Sequence, residues 1–264
     1  MVRCRKCGLI FYNPRPSPEN IASLYSDDYF AQEFPAGLTE EQIRLAHRRL
    51  ARIESKIGKG SLLDVGCGVG RFLAAASQRR WRATGLDASP AAVRAAALTS
   101  GAEVIEGDLK RPRPPGILPF DVVTLWDVLE HLADPVGDLG RLAQWLRPGG
   151  MLVVQTQNAG GVTYAWMRRR WEQFVDYHLY HFSARTLRMA LERAGFQAIR
   201  IEASEQFLHD DPAPTPPGQP RTAAGTGGLL ERARRARDLI LIAAGYDAFN
   251  LMVATARLPG EGDA

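Results

Sequence analysis

The sequence is short of cysteine and of long apolar segments, and each shortage excludes a class of protein. Three cysteines among 264 residues provide no disulfide framework, which favours a reducing compartment. The longest apolar run, residues 239–244, is far too short to cross a bilayer, and no secretory signal follows the basic residues near the start. We therefore expect a cytoplasmic protein with no transmembrane segment.

Lysine is also scarce, so arginine supplies most of the positive charge. The formal net charge is only +4, and the arginines are scattered apart from clusters at 168–170 and 232–237. So small an excess is typical of a solvated basic surface and does not by itself indicate a nucleic-acid partner.

Beyond residue 60, short strand-like runs alternate with helical stretches. The predicted strands are 61–65, 82–86, 102–105, 120–126, 151–156, 196–203 and 249–256, and the predicted helices are 71–80, 90–99, 135–146 and 184–194. Such alternation implies crossover connections and a parallel sheet. It predicts the α/β class, with a doubly wound, mostly parallel seven-stranded sheet.

The rest of the chain divides into three further parts. Residues 1–60 form a preamble with a knuckle-like turn at Cys4–Gly8, a short strand at 9–12 and a helix opened by a capping box at Thr39–Gln42. Within the predicted core, 61–208, residues 158–182 are rich in aromatic side chains and are expected to form a lid. The sequence then predicts a flexible linker rich in proline and glycine at 209–228, and an amphipathic helix and terminal strand at 229–264.

The strongest local signal is a glycine-rich turn between the first core strand and the following helix. Asp64 is followed by Gly66, Gly68 and Gly70, whereas dinucleotide-binding turns usually have the spacing G-x-G-x-x-G. A carboxylate beside the turn disfavours a pyrophosphate and favours a cation. The ammonium and sulfonium of S-adenosylmethionine meet that preference, so this donor is favoured over NAD.

Two further carboxylates end the next two predicted strands. Asp87 lies roughly 20 residues beyond Asp64, the interval at which an acidic residue binds ribose hydroxyls. Asp108 ends the third strand, where it can accept the exocyclic amine of adenine. Each residue alone could be a cap or a turn residue, but three acidic residues at successive strand ends predict one nucleoside site.

These motifs, in this order, resemble the class I S-adenosylmethionine-dependent methyltransferases over roughly 61–203. The resemblance implies that Asp64, Gly66, Gly68 and Gly70 hold the methionine portion of the donor, and that Asp87 and Asp108 hold ribose and adenine. The full set of expected cofactor-binding residues also includes Cys67, Ala88, Leu109, Trp126 and Asp127. The expected product is S-adenosylhomocysteine.

Two histidines are candidates for the catalytic base. The stretch Asp127–His131 and the stretch 177–183 are similar to methyltransferases of quinone biosynthesis, in which the first segment borders the donor and the acceptor. His178 is the first choice and His131 the second, although local hydrogen bonding would also explain His131. We predict no metal site, because no third ligand accompanies His178 and His181.

The amino-terminal Cys4-x-x-Cys7-Gly8 resembles half of a zinc ribbon, and some methyltransferases of this subgroup carry a complete one. A structural zinc normally takes four ligands, and no second C-x-x-C is present. Zinc at Cys4 and Cys7 is therefore not expected.

The sequence predicts methyl transfer to an oxygen or carbon nucleophile of a small molecule, such as a sugar, a lipid-linked precursor or a secondary metabolite. Three alternatives stay open: an RNA methyltransferase, a nicotinamide-dependent oxidoreductase, and a regulatory protein that binds the donor without turnover. The half ribbon and arginine clusters prompt the first, but no aromatic-basic RNA-binding motif accompanies them. The identity of the acceptor and the oligomeric state do not follow from the sequence.

Overall fold

The computed structural model describes residues 1–17, 39–175, 177–204, 250–260 and 262. The helices are α1 (Glu40–Ile57), α2 (Arg71–Gln78), α3 (Pro90–Ser100), α4 (Pro135–Leu142), α5 (Val162–Met167) and α6 (Ala184–Arg193). The strands are β1 (Val2–Arg3), β2 (Ile10–Phe11), β3 (Ser61–Val65), β4 (Arg82–Asp87), β5 (Glu103–Glu106), β6 (Phe120–Trp126), β7 (Leu146–Gln157), β8 (Tyr180–His181), β9 (Gln197–Ala203) and β10 (Leu251–Arg257). Short 3₁₀ turns lie at Leu129–His131 and Arg168–Arg170.

Seven strands form one sheet in the order β5-β4-β3-β6-β7-β10-β9. The pairs from β5 to β7 are parallel, and β10 runs antiparallel to both of its neighbours. The predicted fold class is confirmed: this is a Rossmann-like methyltransferase fold, a mostly parallel seven-stranded sheet with an antiparallel last strand.

Alternate residues of the central strands face two helical layers, which explains why these strands are apolar throughout. Leu62, Val122 and Val153 pack in a cluster with residues of α1 and α2. Their neighbours Leu63 and Val123 belong to a larger cluster that includes residues of α4 and α6 on the other face. The carboxyl ends of the parallel strands therefore meet at one edge between the two layers.

Most predicted boundaries are within two residues of those observed, but the segment before β7 differs. The sequence predicted a helix through residue 146, whereas α4 ends at Leu142 and β7 begins at Leu146. The cause is the sheet itself, because Leu146 pairs with Phe120 and the register shifts before Val122 pairs with Met151. The predicted linker and amphipathic helix between 209 and 244 lie outside the described residues.

The amino-terminal knuckle is part of a second, three-stranded sheet in the order β1-β2-β8. Strand β2 pairs with β8, which belongs to the predicted lid, and Ile10 packs in a cluster with Ala159 and Trp171. The amino-terminal hairpin and the lid are thus joined in one sheet, whereas α1 packs on the core. The predicted capping box at the start of α1 is confirmed, since Thr39 and Gln42 exchange hydrogen bonds of 3.2 Å.

Within the described part of the chain, no helix combines the length and the apolar character needed to span a membrane.

Candidate functional site

The glycine turn connects β3 to α2 through three residues with positive φ. Gly66, Gly68 and Gly70 have φ values of +65°, +53° and +80°. A Cβ on Gly70 would lie 2.8 Å from the backbone of Ala96, so α2 and α3 approach too closely there for any side chain. A Cβ on Gly66 would lie 2.5 Å from Val128, so the loop after β6 packs directly against the turn.

Asp87 at the end of β4 holds this turn in place. One carboxylate oxygen accepts a 2.9 Å hydrogen bond from the backbone N–H of Gly68, and the other accepts one of 2.9 Å from the N–H of Ser89. Burial raises the pKa of Asp87, while these backbone donors oppose that rise. The structure therefore joins Asp87 to the glycine turn, as the predicted nucleoside site requires.

Asp64 lies deeper than the sequence suggested. Its side chain is buried within the sheet, and its carboxylate accepts a 2.7 Å hydrogen bond from the hydroxyl of Thr124 on β6. Burial raises the pKa of Asp64 to about 7, and the charge of Arg49 opposes that rise.

The other predicted residues of the nucleoside site occupy two kinds of environment. Asp108 and Ala88 are exposed, and Asp108 accepts a 3.0 Å hydrogen bond from the N–H of Lys110 in a local turn. Leu109 is buried in the large core cluster, and the side chain of Cys67 packs with Leu73 and Ala96. The backbone of Cys67 is bonded within the turn, since its N–H donates to the carbonyl of Leu86 and its carbonyl accepts from the N–H of Gly70.

Trp126 and Asp127, at the end of β6, carry polar atoms with unmet hydrogen-bonding capacity. Among the described residues, the indole N–H of Trp126 and the Oδ1 of Asp127 are buried without a hydrogen-bond partner. Asp127 also has a φ of +57°, which is uncommon for a residue with a side chain. Unpartnered buried polar atoms beside a glycine turn fit a ligand-binding crevice.

Sequence reasoning missed two residues next to this pair, Arg49 and Gln155. The guanidinium of Arg49 lies 4.1 Å from the ring centroid of Trp126 and donates a 2.6 Å hydrogen bond to the side chain of Gln155. The signal for Gln155 was its polarity inside the apolar strand predicted at 151–156. For Arg49 no signal existed, because the sequence does not show which loop its helix faces.

The two candidate bases, His131 and His178, lie side by side. Their ring centroids are 4.8 Å apart. The Nδ1 of His131 lies 2.9 Å from the carbonyl oxygen of Tyr177. The Nδ1 of His178 lies 2.8 Å from the carbonyl oxygen of Gln173. A carbonyl can only accept, so the Nδ1 of His178 carries the hydrogen and its neutral ring has the lone pair on Nε2. The ring of His131 is hydrogen-bonded to the backbone of both Tyr177 and Asp127. Burial lowers the pKa of His131 to about 3 and that of His178 to about 4, so both rings are neutral at neutral pH.

Glu130 completes a cluster with these histidines. It is buried, accepts a 2.9 Å hydrogen bond from the hydroxyl of Thr156, and has a pKa well above the usual range because of burial. Glu130, His131 and His178 each offer one potential ligand atom, and these atoms lie within 4.8 Å of one another. The sequence offered His181 as the second potential metal ligand beside His178. In the fold, Glu130 and His131 are the residues that lie beside His178. One oxygen and two nitrogens are also ligands that a divalent transition metal accepts.

His181 is a packed residue of the lid and not part of this cluster. Its side chain is buried, with Nδ1 lying 3.2 Å from the side-chain nitrogen of Gln157 and the ring packed against Trp171 and Phe174. The predicted aromatic lid therefore has a closely packed interior. Trp166, by contrast, is 75% exposed and contributes little to that interior.

At the amino terminus, Cys4 and Cys7 lie on a tight hairpin turn. The N–H of Gly8 donates a 2.9 Å hydrogen bond to the carbonyl of Cys4, and the N–H of Cys4 donates one of 2.8 Å to Leu9. Hydrogen bonds from the backbone N–H groups of Cys7 and Lys6 lower the pKa of the Cys4 thiol. Among the described residues, neither cysteine belongs to a group of three or more potential metal ligands.

A scan against protein families matches residues 38–201 to a methyltransferase-domain family. The matched segment spans more than half of the chain and includes the glycine turn, the ends of β3 to β6 and the histidine pair. The chain belongs to this methyltransferase-domain family.

Individual relatives match a smaller segment. A ubiquinone biosynthesis O-methyltransferase of Caulobacter sp. (strain K31) is 34% identical over 102 residues, which cover 37% of this chain and 40% of that protein. The protein of the same name from Xylella fastidiosa is 36% identical over 106 residues, covering 37% of this chain and 42% of that protein. The matches thus extend over about two fifths of these relatives.

Solved structures resemble nearly the whole chain at low identity, which shows the fold. A putative methyltransferase of Haloferax volcanii, in a complex with the activator Trm112, superposes with a TM-score of 0.60 at 19% identity, covering 89% of this chain and 96% of that one. Phosphoethanolamine N-methyltransferase 2 of Haemonchus contortus, bound to S-adenosyl-L-methionine, gives 0.56 at 17% identity, covering 90% and 58%.

Proposed function

We propose that this protein transfers a methyl group from S-adenosylmethionine to a hydroxyl or carbon nucleophile of a small molecule. One observation carries the proposal. The loop that begins at Asp127 after β6 packs against the glycine turn through Val128 and carries His131, whose ring lies beside that of His178. A donor seated on the turn would therefore have its reactive end near the two histidines.

The polar groups of the crevice fit the donor's chemistry. In the proposed complex, Asp87 accepts hydrogen bonds from the ribose hydroxyls, and Asp108 lies at the adenine end. The partnerless Oδ1 of Asp127 and the buried carboxyl of Asp64 supply negative charge at the methionine end. The ammonium of the donor is the group that would neutralise them.

The bound donor supplies a methyl group on a sulfonium, which is already a good leaving group. The protein's work is then to align the acceptor behind the methyl and, for a hydroxyl, to take its proton. His178 suits the second task because its Nδ1–H is held by the carbonyl of Gln173, so Nε2 carries the lone pair. The buried setting of both histidines keeps water away from the reacting groups.

A hydroxyl on an aromatic or polyprenylated ring is the acceptor class we favour. Two of the relatives are named as O-methyltransferases of ubiquinone biosynthesis, and the histidines lie beside the ring of Tyr177. Sugars and other secondary metabolites with free hydroxyls remain in the candidate set.

The test is transfer of radiolabelled methyl from S-adenosylmethionine to a panel of catechols, phenols, sugars and bulk RNA. Labelling of a small hydroxyl compound is the expected result. Labelling of RNA alone would contradict the proposed acceptor class, and binding of NAD in place of S-adenosylmethionine in calorimetry would overturn the donor assignment. If EDTA abolishes transfer and added Zn²⁺ or Mn²⁺ restores it, the cluster of Glu130, His131 and His178 binds a metal, and His178 is not the base.

A further inference from the structure

Gln155 is a polar residue in the interior of β7 with no exposed surface. Its side-chain oxygen accepts hydrogen bonds of 2.6 Å from Arg49 and 2.7 Å from the hydroxyl of Ser204. Its side-chain nitrogen donates a 2.7 Å hydrogen bond to Oδ2 of Asp127. Because Arg49 can only donate and a carboxylate can only accept, the amide has one possible orientation and cannot be flipped.

The residue that Gln155 holds, Asp127, is constrained from two sides. Its N–H donates a 3.2 Å hydrogen bond to the carbonyl of Gln155. The adjacent Val128 packs closely against Gly66, and Asp127 itself has a φ of +57°. With Oδ2 occupied by Gln155, the other oxygen, Oδ1, is buried and has no partner among the described residues. Leaving a buried carboxylate oxygen unbonded costs free energy, so this geometry indicates a donor supplied by a ligand.

We infer that Gln155 is a positioning residue, which holds Asp127 so that Oδ1 accepts a hydrogen bond from the ammonium of the cofactor's methionine portion. This inference rests on the proposed function, because it requires an adenosyl cofactor in the crevice. Gln155 itself does not touch the cofactor and acts through Asp127. Its second role is to join three segments, α1 through Arg49, the end of β9 through Ser204 and the loop after β6 through Asp127.

The choice of glutamine follows from the charges around it. A glutamate here would keep both acceptor contacts, to Arg49 and Ser204, but would place a second carboxylate against Asp127. A leucine would fill a similar volume and remove the contacts that Gln155 makes with Asp127, Arg49 and Ser204. Only a side chain with an acceptor on one side and a donor on the other satisfies all three neighbours.

Calorimetric binding of two nucleosides tests the inference. S-adenosylhomocysteine carries the amino-acid portion, whereas methylthioadenosine has the same nucleoside and thioether without it. For Gln155→Glu we expect the affinity for S-adenosylhomocysteine to fall by about tenfold or more, with the affinity for methylthioadenosine unchanged within about twofold. Ser204→Ala is the matched control, because it removes one contact to the oxygen of Gln155 and leaves the contact to Asp127; it should bind both ligands as the unmodified protein does.

A double-mutant comparison separates positioning from structural support. Asp127→Asn should weaken S-adenosylhomocysteine selectively, and Gln155→Leu added to it should cause no further loss, because both changes remove the same interaction. Equal weakening of both ligands in Gln155→Glu, unchanged affinity for S-adenosylhomocysteine, or additive losses in the double variant would each overturn the inference. If Gln155→Glu does not fold, the other two single variants provide the test. Asp127→Asn should lose affinity for S-adenosylhomocysteine selectively, and Ser204→Ala should not. Failure of the unmodified protein to bind either nucleoside would instead refute the proposed function.

Discussion

The two halves of the crevice are built in different ways. At the glycine turn, the contacts join residues that are close in the sequence, since the carboxylate of Asp87 accepts hydrogen bonds from the N–H groups of Gly68 and Ser89. At the acceptor end, they join distant segments, since His131 bonds to Tyr177 and Tyr12 bonds to the carbonyl of Leu179. The glycine turn is therefore encoded in local sequence, whereas the acceptor end forms only after the sheet and the lid have assembled.

The two halves also differ in charge. The cofactor edge concentrates carboxylates whose pKa values are raised by burial, at Asp64, Asp87 and Asp127. The acceptor end contains neutral histidines whose pKa values burial has lowered. One half attracts a cation and the other accepts a proton, so changes in each half should alter different measured quantities.

The largest expected effect is on turnover, from His178→Ala. Removing the proton acceptor should lower kcat for a hydroxyl acceptor by about 100-fold or more, while the affinity for S-adenosylhomocysteine stays the same. Because the pKa of His178 is lowered to about 4, activity that depends on its neutral form should decline only as the pH falls toward that value. Steady-state kinetics across pH provide the measurement. Unchanged turnover would remove His178 from the mechanism and leave His131 as the candidate.

Asp87→Ala should give the largest effect on binding. It removes two charge-assisted hydrogen bonds to the backbone of the turn, in addition to the predicted contacts with ribose, and we expect a loss of about 100-fold in affinity for S-adenosylhomocysteine. Asp108→Ala is the matched control at the next strand end, where the carboxylate is exposed and accepts a hydrogen bond from the N–H of Lys110, and its effect should be smaller. Equal effects in calorimetry would mean that the two carboxylates contribute alike.

Asp64→Asn should change how cofactor binding depends on pH. The pKa of Asp64 is raised to about 7, so below that pH the free protein holds a proton on this carboxyl. A cationic ligand displaces the proton, and the affinity for the cofactor should therefore increase severalfold as the pH rises through 7. The same shift makes the free protein lose stability as the pH rises from the usual aspartate pKa toward 7, because the unfolded chain ionises more readily. In Asp64→Asn both dependences should flatten. Titration calorimetry in buffers of different ionisation enthalpy counts the released protons, and an unchanged pH profile would assign the effect to Asp127.

The smallest effect is expected for Trp166→Ala. Its side chain is 75% exposed, so binding, turnover and stability should change little. Trp171→Ala is the contrasting change, because that indole is buried and donates a 2.8 Å hydrogen bond to Asn250; its loss should cost about 3–5 kcal/mol of stability. Thermal unfolding compares the two, and a large loss of turnover in Trp166→Ala would place this residue in the acceptor site.

The division between local and distant contacts also separates what the sequence could predict from what it could not. The glycine turn, Asp87 and the strand ends could be predicted because period, turn chemistry and capping are local properties. The depth of Asp64 could not, because it depends on Thr124 from a neighbouring strand. Nor could the partners of Gln155 or the place of Glu130 beside His178, since pairing between strands and the course of the lid decide which distant side chains meet.

The position of β10 has a practical consequence for anyone who works with a shortened chain. The family match ends at residue 201, yet residues 251–257 form an interior strand between β7 and β9. The match begins at residue 38, yet β2 covers the edge of β8. A fragment cut at the borders of the match would lack a strand from the middle of its sheet. It would expose unpaired backbone on three strands, β7, β9 and β8, which invites aggregation. The unit that folds therefore extends well past the unit that homology outlines.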